Sequence, residues 1–382
     1  MCHRFLLLAL VALLGGCSNL GYYLDSASGH LDLMAERQPI QKLLLGDSLS
    51  PERRRQLEQA QRARDFASSE LLLPNNDSYR SFVDLEQPYA VWNVIAAPRY
   101  SVEAKQWCFV FTGCISYRGY FAKEDAEHYA NKMRKQDLDV FVSGARAYST
   151  LGWFKDPLLN TMLYRSEARL VGIIFHELAH QELYVKGDSA FNEAFATAVE
   201  REGVRRWFAQ QDDTDSYRAY LDSSERDQAF KLMLIDTREQ LAQLYESDAS
   251  DAQKAAGKQD IFARLQREYQ VFKRSWENYD GFDEWMAQNL NNAHLALIAT
   301  YHEYVPAFEQ LLHAGGGDMH AFYDAARAIG KLDTEARRER MDTLLAQRRR
   351  EALAVHRKRD PGAQGTVSVQ KTARAERSKG TS

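Results

Sequence analysis

Apolar and polar positions along the chain change period twice. From residue 18 to 75 apolar side chains return at helical spacing. Gln41–Leu73 is rich in Arg, Glu, Gln and Leu, interrupted at Ser50-Pro51 and ended by Pro74-Asn75-Asn76, which predicts helices with a break. The pattern then shortens. Tyr89–Ala97 and Trp107–Phe111 are dense in aromatic and β-branched residues and read as short strands. A helix is expected over Glu124–Gln136 and a strand over Leu138–Val142, with Ala145–Leu151 continuing it as an edge. Helical spacing resumes at Ser166 and holds nearly to the end. It covers Glu225–Glu246 and Asp260–Tyr279, with a small polar loop over Ser247–Gly257 between them. Asn291–Leu312 is a further helical run in which Pro306 implies a kink or break. Gly315–Gly317 is a flexible turn and Asp333–His356 a highly charged helix. No internal repeat is visible.

These elements define an α+β, predominantly α-helical fold. One body spans 17–356, with a helical N-terminal part, a small mixed sheet at about 89–151, a helix pair at about 166–209 and a helical C-terminal part. Residues 357–382 lack apolar periodicity and read as a disordered basic tail. The 382 residues suffice to bury a substantial core. Apolar residues at 45% and charged residues at 27% are ordinary globular usage. A net charge of -4 provides no global field for nucleic acid, so function has to rest on local sites.

The first residues bear on location. Arg4 supplies a basic start and Phe5–Leu14 is an unbroken apolar run. As a helix it is about 15 Å long, half a bilayer core, so it suits an export signal over 1–16 rather than a span. Leu14-Gly15-Gly16-Cys17 resembles the bacterial lipobox, which implies that Cys17 becomes a lipid-modified N-terminus tethering the chain to a membrane. Ser18 follows rather than Asp, which by resemblance to Gram-negative lipoprotein sorting points to the outer membrane, facing the periplasm. Cys2 leaves with the signal. Cys108 and Cys114 remain, a pair that an oxidising periplasm favours as a disulfide. No further His or Cys lies near them at zinc-site spacing.

Candidate chemistry is concentrated after Ser166, which is placed to cap a helix, with Glu167 in its first turn. His176-Glu177-Leu178-Ala179-His180 sets two imidazoles at i and i+4, on one helical face about 6 Å apart at Cβ, where both reach a single metal ion. Glu177 is next to the first imidazole. A carboxylate there takes a proton from metal-bound water and passes it to a leaving amine. The motif alone is short enough to arise by chance. The apolar run Leu170–Phe175 ahead of it makes the histidines half-buried, and paired buried histidines are costly unless they bind something.

A catalytic zinc takes a third protein ligand. Lys186 and Leu183 stand where a metzincin has histidine and glycine, which excludes that class. Asp188, Glu193 and Glu200 are the candidates. If the first helix runs to about Val185 and Gly187-Asp188 turns the chain, Glu193 on an antiparallel second helix returns to the level of His180. Glu200 overshoots by two turns, about 10 Å, and suits a supporting role behind a ligand. Asp188 is either a ligand or the next helix's cap. Glu193 is therefore favoured. Phe191-Asn192-Glu193-Ala194-Phe195-Ala196 is also an apolar setting that disfavours an unpartnered carboxylate.

His176–Gln181 followed by Phe191–Ala196 resembles the bacterial "putative aminopeptidase" family of gluzincin-type metallopeptidases. Similar to it as well are Gly113–Phe121, Ala147–Pro157, and Asn291-Asn292-Ala293 with Tyr301 and Val305–Phe308. The resemblance spans roughly residues 15 to 330. It implies a zincin-like core with Zn2+ held by His176, His180 and Glu193, Glu177 as the base, and a peptide substrate. Gluzincin aminopeptidases hold the substrate amine with a glutamate on the strand before the metal helix. Gly144–Tyr148 has the shape but no glutamate, leaving Glu167, Glu182 or Glu200 as substitutes. On this reading Tyr148–Gly152 is the edge that pairs with substrate. Tyr301 and His302 are candidate oxyanion stabilisers, with Tyr301 preferred, and Arg118 grips a substrate carboxylate or makes a structural ion pair. The alternatives are an envelope endopeptidase acting on protein or wall crosslinks, and a non-catalytic lipoprotein scaffold.

Overall fold

A computed structural model describes residues 21–109, 113–150, 152–163, 166–298 and 304–359. Cys17, the signal segment, Tyr301, His302 and the tail beyond residue 359 lie outside the described residues. The fold is α+β and mainly helical, with small mixed sheets. The chain divides into two compact units, with the boundary between residues 302 and 303.

In the first unit, helix α1 covers 21–35. Strand β1 (Gln38–Pro39), α2 (Ile40–Leu45), α3 (Pro51–Ser69) and β2 (Ser81–Val83) follow. The Ser50-Pro51 break is the start of α3: Ser50 accepts from the Arg53 N–H and Pro51 takes the first helical turn. Next come β3 (Val91–Pro98), β4 (Trp107–Phe109), β5 (Gly113–Ile115), β6 (Arg118–Tyr120), α4 (Lys123–Arg134), β7 (Leu138–Ala145) and β8 (Leu158–Leu159). β3 is the centre of an antiparallel sheet ordered β6-β3-β7, with Ile95 opposite Phe141 and Val94 opposite Arg118. β1, β2 and β8 form a second small sheet, and β4 pairs with β5, across which the Cys108 and Cys114 sulfurs are bonded.

Alternation along β3 sorts its two faces. Trp92, Val94 and Ala96 bury against Ala126, Ala130 and Met133 of α4, with Val140 from β7. Arg118 lies on this face too. Its guanidinium sits 3.9 Å from the Tyr22 ring centre and 4.5 Å from that of Tyr129, so it anchors α1 to the sheet through its charge over aromatic faces and does not reach for substrate. The opposite face carries Ile95 and Ala97, packed against Ala293, with Tyr117 and Phe141 beside them.

The expected continuation of β7 through Leu151 is not observed. The strand ends at Ala145, and 146–150 form no ladder. Fully buried Asp156 captures the Thr150 N–H at 3.0 Å and the Thr150 hydroxyl at 2.6 Å, bending the chain away from the sheet. Of the anticipated substrate-pairing edge at Tyr148–Gly152, Leu151 lies outside the described residues and Tyr148–Thr150 pair with no described strand of the protein. The Tyr148 hydroxyl instead meets His30 Nδ1 at 3.1 Å.

Helices α5 (Glu167–Glu182), α6 (Ser189–Gln210), α7 (Thr214–Glu246) and α8 (Asp251–Ser275) complete most of the unit, with the short α9 (Asp283–Met286) and α10 (Asn292–Leu295). α7 starts earlier than expected because Asp213 caps it through the Ser216 N–H. The polar stretch after it is mostly helix, since Ser250 and Gln253 form a reciprocal capping box that starts α8. The second unit holds α11 (Val305–Ala314), α12 (Met319–Gly330) and α13 (Thr334–Arg359) around Phe308, Phe322, Tyr323 and Met341. Pro306 sits in the first turn of α11, where its missing N–H costs nothing, rather than inside a helix. Gly316 and Gly317 make the turn before α12 with φ of 68° and 80°.

The Asn291-Asn292 pair clamps β7. Asn291 Nδ2 donates to the Val140 carbonyl at 3.1 Å, and the Asn292 N–H donates to Asp139, which also pairs with Lys258 of α8. Next to it, the His294 ring stacks on Phe141 with 4.1 Å between centroids. His294 Nδ1 accepts from the Asn291 N–H at 3.2 Å, so the proton sits on Nε2, 3.3 Å from Gln288 Oε1. Burial holds its pKa down at about 4, against 6.5 for the free side chain. The unfolded chain therefore takes up a proton below about pH 6.5 that the folded chain refuses until about pH 4. Stability is intact above that window and falls across it, by about 3 kcal/mol from this group. Urea midpoints measured between pH 7 and 4 are expected to fall less steeply for His294→Gln than for the unaltered protein.

Candidate metal centre

α5 and α6 are joined by a tight connection. α5 stops at Glu182, one turn short of the expected end, and Leu183 is already extended. Gly187 takes φ 81°, a left-handed turn conformation suited to glycine. The Asp188 carboxylate accepts from the Phe191 N–H at 3.0 Å, which makes it the cap of α6 and not a ligand. Asn192, almost fully buried, staples the turn: its Oδ1 accepts from the Val185 N–H at 2.7 Å and its Nδ2 donates to the Val185 carbonyl at 2.8 Å. Ser166 stands at the start of α5 without a capping bond, and Glu167 there accepts from Trp207 Nε1 at 2.7 Å, tying the far ends of the two helices.

Between these ties the helices run antiparallel. His176 Nε2 lies 3.4 Å from Glu193 Oε2, and His180 Nε2 lies 3.7 Å from Glu193 Oε1. The two imidazoles are 4.9 Å apart between centroids, nearly perpendicular. One donor atom from each of His176, His180 and Glu193 falls within a 4.8 Å cluster, and this is the group among the described residues able to hold a metal ion. On the other side of His176, Nδ1 lies 3.1 Å from Glu200 Oε2. Gly172 makes room for that carboxylate: a methyl group there would sit 3.2 Å from Glu200 Oε1. Glu200 is thus placed on the Nδ1 side of His176, away from the Nε2 that meets Glu193.

Charge is concentrated here. Burial opposes a proton on His176, but its bonds to Glu193 and Glu200 outweigh burial and raise its pKa well above the ordinary value. Burial lowers His180 to about 4, helped by the neighbouring His176 charge and opposed by Glu193. Burial raises Glu177 to about 7. The His176 charge opposes that rise, while the Glu193 and Asp156 carboxylates add to it. Burial and the nearby Glu193 likewise push the Tyr117 phenol up to about 12.

Three contributors lie in stretches marked by the family resemblance, Ala147–Pro157 and Gly113–Phe121, but carry no role of their own on sequence alone. Asp156 organises the loop over Glu177 through Thr150 and through the Ser149 hydroxyl at 3.3 Å, and the same hydroxyl bonds to Glu177. The only available signal was a Ser-Thr pair followed by Asp-Pro within a few residues. Tyr117, between β5 and β6, is a third, with no local pattern that points to the carboxylates it faces. Of the proposed amine anchors, Glu167 and Glu200 are engaged by Trp207 and His176.

The fold and the site define a mainly helical α+β protein with a candidate divalent-ion centre between two antiparallel helices. Residues 21–341 match the family described as "putative aminopeptidase", and the chain belongs to that family. Searches of curated proteins and of solved structures gave no match.

Asp156→Asn turns one acceptor oxygen into a donor facing the Thr150 N–H. It is expected to cost about 2 kcal/mol in urea denaturation, with the helical circular dichroism unchanged.

Proposed function

We propose that this chain is a zinc-dependent peptidase, an aminopeptidase in the first instance, built on a gluzincin-type core and held at the bacterial envelope through a lipid on Cys17. Its family supports peptide as the substrate class. One observation carries the metal: two imidazoles and a carboxylate from neighbouring helices converge on a point. Zinc–donor bonds of about 2.0–2.1 Å in tetrahedral geometry set ligand atoms roughly 3.3 Å apart. The separations of 3.4 and 3.7 Å around Glu193 fit that requirement. Among the described residues, buried His180 Nδ1 has no hydrogen-bond partner.

Zinc, when bound, supplies Lewis acidity that polarises a substrate carbonyl and lowers the pKa of a coordinated water toward 7. Glu200 orients the His176 ring by accepting a hydrogen bond from Nδ1–H, which leaves the Nε2 lone pair for the ion. Glu177 would accept a proton from the water that attacks the carbonyl carbon and deliver it to the amine nitrogen as the C–N bond breaks. The Ser149 hydroxyl holds that carboxylate in place, and Asp156 holds Ser149.

A second reading, endopeptidase, is favoured by one fact: Glu167 and Glu200 are already engaged, so neither is spare to grip a substrate amine. N-acetylated and free peptides separate the two, since an aminopeptidase rejects the blocked ones.

Three outcomes are expected. Purified protein contains about one zinc per chain by plasma mass spectrometry, and His176→Ala loses it; a metal-free, chelator-indifferent protein overturns the reading. Glu177→Gln keeps the zinc and loses turnover by at least about 100-fold. Glu200→Gln weakens zinc affinity about 10- to 100-fold in competition with a fluorescent chelator.

A further inference from the structure

A groove of about 510 Å³ lies in the first unit, floored by Asn93 and Ile95 of β3 and by Phe141 and Ser143 of β7. These four belong to the face of the sheet turned away from α4. Phe230 of α7, Phe282, Trp285 and His294 line it above. We propose that this groove is the subsite for a bulky aromatic side chain of the peptide substrate, on the residue beside the bond that is cut. The proposal rests on the peptidase reading.

One stretch of its lining and one neighbour of its floor relate the groove to the metal centre. On the helix side its lining includes Arg169, seven residues ahead of His176, which places it two turns up the same face of α5, about 10 Å away. Lys231 and Asp227 line that end too, within electrostatic reach of Glu200 behind His176. On the sheet side, Tyr117 packs with Ile95 and Phe141 and is within electrostatic reach of Glu193 and Glu177. The groove thus ends at Arg169, two helical turns along α5 from His176. An aromatic ring reaching roughly 6 Å beyond its Cα spans most of that gap.

Its chemistry suits a ring. Phe230 and Phe282 stack at 3.9 Å, Trp285 stands edge-on to Phe230 at 5.8 Å, and His294 lies flat on Phe141. Such walls offer both faces and edges to an incoming aromatic. The volume exceeds one side chain and falls within the range of ligand sites, leaving room for adjoining backbone. Asn93 and Ser143 on the floor supply polar atoms for that backbone.

The test uses the zinc-loaded full protein with Phe-Ala-Ala and Ala-Ala-Ala, each free and N-acetylated, in two arms. In the binding arm, tryptophan emission is followed as peptide is added. The Phe peptides change the emission saturably and the Ala peptides do not, and Trp285→Phe abolishes the change. In the turnover arm, kcat/KM for Phe peptides exceeds that for Ala peptides by at least tenfold. Ser143→Phe, which fills the groove, brings the ratio of kcat/KM for Phe over Ala peptides down to about one. Equal binding of Phe and Ala peptides, or an emission change that survives Trp285→Phe, overturns the groove. So does a Phe preference that survives Ser143→Phe in a protein of unchanged melting temperature. Selective Phe binding with no hydrolysis of any peptide sinks the peptidase reading and leaves the groove standing.

Discussion

The register between α5 and α6 is the constraint on which the centre depends. Glu193 has to stand level with both His176 and His180, and a slip of one residue turns it about 100° away. That register is held at both ends. Asn192 grips both polar backbone groups of Val185 at the turn, and Glu167 meets Trp207 at the far end. Close packing between the ends leaves little room for sliding. At Gly203 of α6 a methyl group would lie 2.5 Å from the Phe175 ring of α5, so the helices approach at the backbone. Phe66 of α3 packs within 5.2 Å of Trp207 and 5.7 Å of Phe175, between ring centroids, bracing the pair from behind.

A second device carries that order to the mouth of the site. Arg64 of α3 is fully buried and spends its guanidinium on the backbone that follows the helix, donating to the carbonyls of Pro74, Asn76 and Ser78. Burial lowers its pKa to about 10, leaving it charged at any physiological pH. The turn it builds reaches forward: Asn76 Nδ2 donates to Gln181, next to His180, and the Tyr79 N–H donates to the Asp156 carbonyl. Asp156 then shapes the Ser149-Thr150 loop over Glu177. Buried charge of both signs is maintained here by hydrogen bonds rather than by direct ion pairing, and its cost is met by the packing around it.

Much of this was legible from residue order. The i, i+4 imidazoles, their apolar helix and the return distance to Glu193 follow from helical geometry and hold even though α5 ends a turn early, because the staple at Asn192 replaces the missing turn. The main sheet strands were readable from their aromatic and β-branched content. What escaped were features decided by distant partners. The strand after Ala145 stops because an aspartate eleven residues on takes its hydrogen bonds. α8 starts early because Ser250 and Gln253 cap each other in a stretch whose composition reads as loop. Arg118 looked like a binder of carboxylates and is instead enclosed by tyrosines, one of them from the first helix. Local pattern has no access to such long-range competition for donors and charges.

The two faces of the β6-β3-β7 sheet are packed differently. A sheet covered on both sides is expected to be apolar on both. The face toward α4 obeys this, with Val94, Ala96, Ala126, Ala130 and Met133 closely packed. Across the sheet the same strands place Asn93 and Ser143 side by side, with Phe141 only half-buried next to them. Small polar residues at the centre of a covered face leave space and unspent hydrogen-bonding capacity, a poor choice for stability alone. A fold that packs one face tightly and keeps the other partly open beside a cluster of metal-capable side chains has room on one side for a chain other than its own.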